Sequence, residues 1–279
     1  MRIVSRGKTD VGRVRTNNED SFHIVESLNL FVLSDGMGGE AHGEIASALA
    51  VETVVKHFLE AESNPAAPVF GETKAGWSDT TKRLFSAVYL ANKRIFESAE
   101  VHPEQQGMGA TLTVACIEGE RLSIAHVGDS RAYLLRGGSL QQLTSDHSLV
   151  AEQVRRGIIT PAEAEQSAMQ SVLLRALGSQ PKIEIDAEEQ PLFTGDLMLL
   201  CSDGLTRMVA ETDIASTLQS EKDLDHATDK LISLANEKGG ADNVTVIIVR
   251  VENNYGGWFS WLRRGARKHA GGNGSAGGK

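Results

Sequence analysis

A layered α+β domain built on antiparallel sheets is the fold that the sequence predicts, and three observations predict it. Strand-like apolar runs come in separate groups along the chain, at 30–34, 111–135, 197–202 and 244–251. Helical periodicity falls between those groups rather than after every strand, which excludes a regular βαβ alternation. Two of the runs, "TLTVACI" and "LSIAHV", are separated only by "EGER", the spacing of a hairpin and therefore of antiparallel neighbours.

Taken in order, residues 30–34 (LFVLS) are apolar at consecutive positions, as when both faces of a sheet are covered. A helix is expected over 43–62, with Ile45, Leu49 and Val55 and several alanines on its apolar side, and "NPAAP" at 64–68 breaks the chain after it. The next helix, over 80–98, places Leu84, Val88, Ala91 and Ile95 at the i, i+4, i+7, i+11 spacing of one face. Strands follow at 111–117 and 122–127, and at 131–135 after a second tight turn, "GDS". Residues 146–180 form a helical interlude in which Thr160-Pro161 opens a short helix of its own. A strand at 197–202, a helix over 224–236 (Leu224, Ala227, Leu231, Leu234) and a strand at 244–251 complete one domain, residues 1–252.

The remaining residues, 253–279, hold eight glycines, five Lys or Arg and no acid, and read as a flexible basic tail. Trp258 and Trp261 in "GGWFSWLRRGARKHAGG" are expected to pack back on the body, the alternative being contact with an anionic membrane surface. Removing the tail's five positive charges takes the body from −9 to −14. An acidic body argues against nucleic acid as a partner and suits a protein that gathers divalent cations. Cys116 and Cys201 lie in apolar runs without metal-ligand spacing and read as small buried hydrophobes. "MRIVSRGKTD" lacks a signal peptide's apolar segment, and no run approaches the ~18–20 apolar residues of a membrane span, so a cytoplasmic monomer is expected.

Carboxylates carry the chemistry. "LFVLSDG" at 30–36 and "LMLLCSDG" at 197–204 each deliver an apolar strand into Asp-Gly, setting Asp35 and Asp203 in equivalent places. Asp129 in "HVGDSR" follows a strand, Asp242 in "GGADNVTVIIV" precedes one, and "NNED" adds Glu19 and Asp20. One aspartate in such a position reads as turn chemistry or a cap. Several brought to one sheet edge repel one another unless cations neutralise them. Oxygen ligands without a Cys or His cluster select Mg²⁺ or Mn²⁺ over zinc, and Gly36 can add its carbonyl. Two such ions about 3.5–4 Å apart acidify a bridging water and stabilise an in-line displacement. Arg13 and Arg15 in "GRVRTNNED" suit a phosphate, the competing reading being a surface pair with Glu19 and Asp20.

"TDVGRVRTNNEDSF", "LFVLSDGMGGEAHGEIAS", "GMGATLTVACI", "AHVGDSRAYLLRGGSLQQLTSDHSLV", "LLRALG", "LLCSDGLT" and "GGADNVTVIIV" occur in this order. As an ordered set they resemble the metal-dependent serine/threonine protein phosphatases of type 2C (the PPM family) in their compact bacterial form. The resemblance runs from about residue 5 to 251. It implies a four-layer αββα sandwich with a metal cleft at one end, and hydrolysis of phosphoserine and phosphothreonine in proteins by a hydroxide bridging two Mn²⁺ or Mg²⁺ ions. By position, Asp35 would bridge both ions, with Gly36, Asp203 and Asp242 completing the first site. Glu19 and Asp20 would order water at the second site, and Asp129 with Asp203 would hold a third, weaker ion. Arg15 would clamp the phosphate, and residues 146–180 would form a flap that influences substrate choice. A serine/threonine protein kinase is the implied counterpart, acting on the same phosphoproteins.

The chain departs from that pattern around the leaving group. Met37 stands where animal relatives carry a histidine, and Glu40 where many bacterial ones do, while His42 comes two residues later. His42 is therefore a candidate general acid, with water as the alternative proton source. His126 and His147 read as structural. Two other functions compete: a phosphoprotein-binding regulator on the same fold, which a degraded metal set would mark, and a two-metal phosphodiesterase or nuclease.

Overall fold

The computed structural model describes residues 1–38, 42–64 and 66–253. Two polar strands, β1 (Arg2–Asp10) and β2 (Asp20–Val25), precede the apolar β3 (Leu30–Met37). Helices α1 (His42–Ser63) and α2 (Asp79–Val101) come next. They are followed by β4 (Gly109–Ala110), β5 (Leu112–Glu118), β6 (Arg121–Val127), β7 (Arg131–Arg136) and β8 (Ser139–Gln142). The helical interlude contains α3 (Leu149–Arg155) and α4 (Pro161–Glu165), after which β9 (Asp186–Pro191) and β10 (Leu197–Cys201) return to sheet. The described chain ends with α5 (Asp203–Thr206), α6 (Glu211–Ser220), α7 (Leu224–Glu237) and β11 (Val244–Glu252).

The strands form two antiparallel sheets, β1-β11-β10-β7-β8 and β2-β3-β5-β6-β9, with β4 paired to the end of β3. Strand alternation gives each central strand two buried faces. On β3, Phe31 and Leu33 pack between the sheets with Ile124, Met198, Leu200 and Ile247. Leu30 and Val32, on the opposite face, pack under α1 and α2 with Ala50, Val54, Leu84 and Val88. Leu199, Cys201, Val246 and Ile248 do the same under α6 and α7, against Ile214, Leu218 and Leu231. The result is four layers, helix–sheet–sheet–helix, with three apolar interfaces. Each fully buried Leu, Ile or Val contributes about 1.5–3 kcal/mol.

Ser78 caps α2 by accepting from the Thr81 amide at 3.2 Å, and Thr160 with Glu163 forms a capping box at α4. Helix α1 differs from the expected pattern: Ile45 is exposed, and the face turned to the sheet is Gly43, Ala46, Ala50 and Val54. Small residues let α1 lie close to β3. The "GDS" turn after β6 does not close a hairpin but carries the chain from one sheet to the other. Both cysteines are free and buried, and burial pushes their thiols up to about 12. Among the described residues no helix is long and apolar enough to cross a membrane. Both readings of the basic tail fall on 254–279, outside the described residues, as does Glu40.

Candidate metal centre

Register brings together what the sequence separates. Pairing of β2 with β3 sets Asp20 opposite Asp35. The Gly36 amide donates to the Glu19 carbonyl at 3.1 Å. A Cβ on Gly36 would stand 2.0 Å from the Gly43 carbonyl oxygen and 2.7 Å from that of Glu19. Only glycine lets β3 pass between the Glu19 turn and the start of α1. Ser202 turns the end of β10 into α5, whose first residue is Asp203, and a Cβ on Gly204 would lie 2.0 Å from the Asn243 carbonyl oxygen. Both Asp-Gly pairs thus need glycine for close backbone approach. Asp242 sits just before β11, the neighbour of β10, and Asp129 lies in the crossing from β6 to β7.

The carboxylates so gathered are poorly compensated. Asp20 is buried; its Oδ2 accepts from Ser202 Oγ at 2.8 Å and Thr245 Oγ1 at 2.6 Å, whereas its Oδ1 has no partner. Asp203 Oδ1 is likewise buried and unpartnered. Burial, and then the charges of Asp20, Asp203, Asp129 and Asp242, hold Asp35 well above the usual carboxylate range. Burial first and neighbouring aspartates next push Asp20 and Asp129 up to about 7. Asp203 and Glu19 are raised mainly by burial, moderated by Arg207 and Arg15 respectively. Two guanidiniums face the cluster. Arg15 Nη2 donates to Asp242 Oδ2 at 2.9 Å. Arg207 pairs closely with Asp203 and lies 3.7 Å from Asp129 Oδ2 and 3.9 Å from Asp242 Oδ2. The hydrogen-bonded partner of Arg15 is therefore the distant Asp242, not the adjacent Glu19 or Asp20.

An unpaired buried carboxylate oxygen costs several times what an ordinary hydrogen bond contributes. Two of them in an all-oxygen cluster fit a hard divalent cation, and the donor set suits Mn²⁺ or Mg²⁺.

Neutral side chains lock this arrangement. Asn243 Oδ1 accepts from the Glu19 amide at 2.8 Å, and its Nδ2 donates to Val11 and Asn17 carbonyls at 2.9 and 2.8 Å. The Asn243 amide donates to Asp242 Oδ1 at 2.9 Å. Thr111 Oγ1 accepts from the Asp35 amide at 3.0 Å, and the Thr111 amide donates back to the Asp35 carbonyl at 2.8 Å. Sequence reading singled out none of Arg207, Asn243 or Thr111. The signal for Arg207 was there, one helical turn after Asp203 in "SDGLTR"; that for Asn243 was its adjacency to Asp242.

His42 opens α1, half-buried, close enough to Glu19 for its charge to favour the carboxylate. Met37 pairs with Gly109 across β3 and β4, where its methyl would meet any Cβ at 2.8 Å. His126 and His147 lie in a separate cluster, stacked at 4.7 Å between centroids. Residues 146–180 wall a cleft of about 420 Å³ that reaches Asp129 and Asp203, with Asp146, Ser148 and Gln170 on its flap side and Arg207 opposite.

The protein phosphatase 2C family model matches residues 10–246. The chain is 40% identical to the serine/threonine phosphatase Stp of Listeria welshimeri over 245 residues, covering 87% of this chain and 93% of that one. Its fold superposes on the serine/threonine phosphatase PstP of Mycobacterium tuberculosis with a TM-score of 0.79 at 37% identity, over 90% of this chain and 99% of that one. A catalytic domain of PstP in complex with two manganese ions matches at a TM-score of 0.76 and 37% identity, over 90% and 99% of the two chains.

Proposed function

Because the chain belongs to the protein phosphatase 2C family of metal-dependent serine/threonine protein phosphatases, we propose that its carboxylate cleft is the phosphatase active site. The observation that carries the reading is the pair of buried, unpartnered oxygens on Asp20 and Asp203 within a cluster of six carboxylates. Asp35, Asp203, Asp242 and the Gly36 carbonyl would hold one divalent ion; Asp35, with Glu19 and Asp20 ordering water, would serve the second. Bound Mn²⁺ or Mg²⁺ supplies an acidified water and draws charge from the phosphoryl oxygens.

The chain's own residues do the rest. Arg15, with its side chain 50% exposed, has guanidinium N–H groups left over after Asp242 to grip a phosphate dianion. Its bond to Asp242 holds that grip beside the carboxylates. The flap, residues 146–180, carries the side chains that meet the peptide flanking the phosphoresidue. Asn243 and Thr111 keep the Glu19, Asp35 and Asp242 segments at fixed separation, so the cleft is preorganised. Met37 cannot carry a proton, and water protonates the departing seryl or threonyl oxygen. Residues 1–252 form the catalytic domain, and the physiological substrates are phosphoproteins made by a serine/threonine kinase.

Phosphate release from a phosphothreonine peptide, with Mn²⁺, with Mg²⁺ and with a chelator, tests the reading. Turnover that requires the ion, and that is absent on a phosphodiester, is expected. A folded protein that binds Mn²⁺ and hydrolyses no phosphopeptide would overturn it.

A further inference from the structure

Arg207 differs from Arg15 in what it touches. It sits at the C-terminal end of α5, where its amide donates to the Asp203 carbonyl at 2.8 Å. Its side chain is 25% exposed, half the exposure of Arg15. Among the described residues its ion pairs are all with cleft carboxylates: Asp203 on its own helix, Asp129 in the β6–β7 crossing and Asp242 before β11. One guanidinium in the wall of the cleft thus ties three separate segments together.

The charge balance gives that position a meaning. Six carboxylates (Glu19, Asp20, Asp35, Asp129, Asp203, Asp242) face two guanidiniums, leaving four negative charges when all are ionised. Two divalent ions neutralise four charges; a third would leave the cluster with an excess of two positive charges. The carboxylates that Arg207 bridges most directly, Asp129 and Asp203, are the pair that the resemblance to bacterial type 2C phosphatases assigns to a third ion.

We propose that Arg207 is a fixed cation in the place of a third divalent ion, holding Asp129 against Asp203 and setting this enzyme's metal count at two. The proposal rests on the reading of the cleft as a metal centre. Arg207 acts here as a positioning residue: it keeps Asp203 aimed at the first ion and occupies Asp129, which is then not a metal ligand.

Calorimetric Mn²⁺ titration of the full chain, with free Mn²⁺ counted by electron paramagnetic resonance, tests it on the wild type, Arg207→Ala, Arg207→Met and Arg207→Lys. The expected counts are two for the wild type, three for Ala and Met with the third ion weaker, and two for Lys, which restores the charge. Met retains the packing of the side-chain stem should Ala destabilise α5. Adding Asp129→Asn to Arg207→Met should return the count from three to two. Three ions in the wild type, or two in folded Arg207→Met, would overturn the proposal while leaving the metal centre intact. No Mn²⁺ binding by the wild type would overturn the metal centre itself, and the proposal with it.

Discussion

Two residues, Val127 and Gly128, separate two polar clusters of opposite character. His126, near the end of β6, belongs to one; Asp129, just past it, belongs to the other. In the first, Asp186 on β9 accepts from His147 Nε2 at 3.2 Å and from Arg175 Nη1 at 3.0 Å, while His126 Nε2 donates to the Ser145 carbonyl at 3.0 Å. His147 Nδ1 accepts from the Gly128 amide at 3.1 Å. Acid and base compensate each other there, and the hydrogen bond from His147 holds Asp186 well below the usual carboxylate range despite partial burial. Burial presses His126 down to about 4, so its imidazole is neutral at physiological pH. In the second cluster six acids face two guanidiniums, and buried oxygens go unpartnered. The first cluster is complete within the chain; it pins both ends of the flap, through His147 and Arg175, to β9. The second is left with more acid than base. A buried charged cluster that its own chain leaves unbalanced is a candidate functional site.

Chelation should break the contrast most severely. It should abolish phosphate release while leaving the imidazole cluster and the circular dichroism spectrum unchanged. Restoring Mn²⁺ at about 100 times its Kd should raise stability by about 2.7 kcal/mol for each ion bound, read as a melting-temperature increase. Next in size is Asp35→Asn, expected to lower kcat beyond the 10–100-fold typical of outer-shell changes around a metal, with little loss of metal-free stability because it removes a repelling charge. Arg15→Ala should lower kcat/KM about 10–100-fold, the equivalent of one charge-assisted hydrogen bond, chiefly through KM.

Stability against pH separates the clusters by sign. Asp20 and Asp129 keep their protons up to about 7 in the folded state and lose them near the ordinary carboxylate value when unfolded. The metal-free fold therefore binds more protons than the unfolded chain between about pH 4 and pH 7, and its stability falls across that window. The slope is at most about 1.4 kcal/mol per pH unit for each group, and saturating Mn²⁺ should flatten it. Asp186 acts oppositely: its contribution is present above the ordinary carboxylate value and is lost as pH falls below it. Denaturant titrations from pH 3.5 to 8, with and without Mn²⁺, read both slopes. The smallest effect expected is that of His42→Ala. Loss of a general acid costs about 10²–10⁴ in rate, and this variant should lose less than about tenfold if water supplies the proton.

How much of this was legible in the sequence follows from which faces are covered. The central strands β3, β5, β6, β10 and β11 read correctly because both faces are buried and the apolar runs are nearly continuous. Besides the two-residue β4, the strands passed over, β1, β2, β8 and β9, are the four edge strands of the sheets. Arg2, Arg6 and Lys8 on β1 and the "DAEEQ" run of β9 keep those edges from pairing further, and the same charges hide the strand pattern. Helix α2 advertises its buried face with large aliphatic residues; α1 packs through Ala46 and Ala50, and its exposed Ile45 misdirects a hydrophobicity count. In the cleft, the repeated strand–Asp–Gly pattern exposed Asp35 and Asp203 because each is the last polar residue after an apolar run. Arg207 stayed hidden because its role depends on Asp129 and Asp242, brought near only by folding.

The most direct test of this contrast is Mn²⁺-dependent phosphate release by Asp203→Asn and Asp186→Asn measured side by side on one phosphothreonine peptide. The account predicts that Asp203→Asn retains its fold and loses turnover. Asp186→Asn should keep turnover within about tenfold while losing about 1–3 kcal/mol of stability, as buried donors lose their acceptor. Full metal-dependent turnover in Asp203→Asn, or its disappearance in a folded Asp186→Asn, would contradict the assignment of function to the unbalanced cluster.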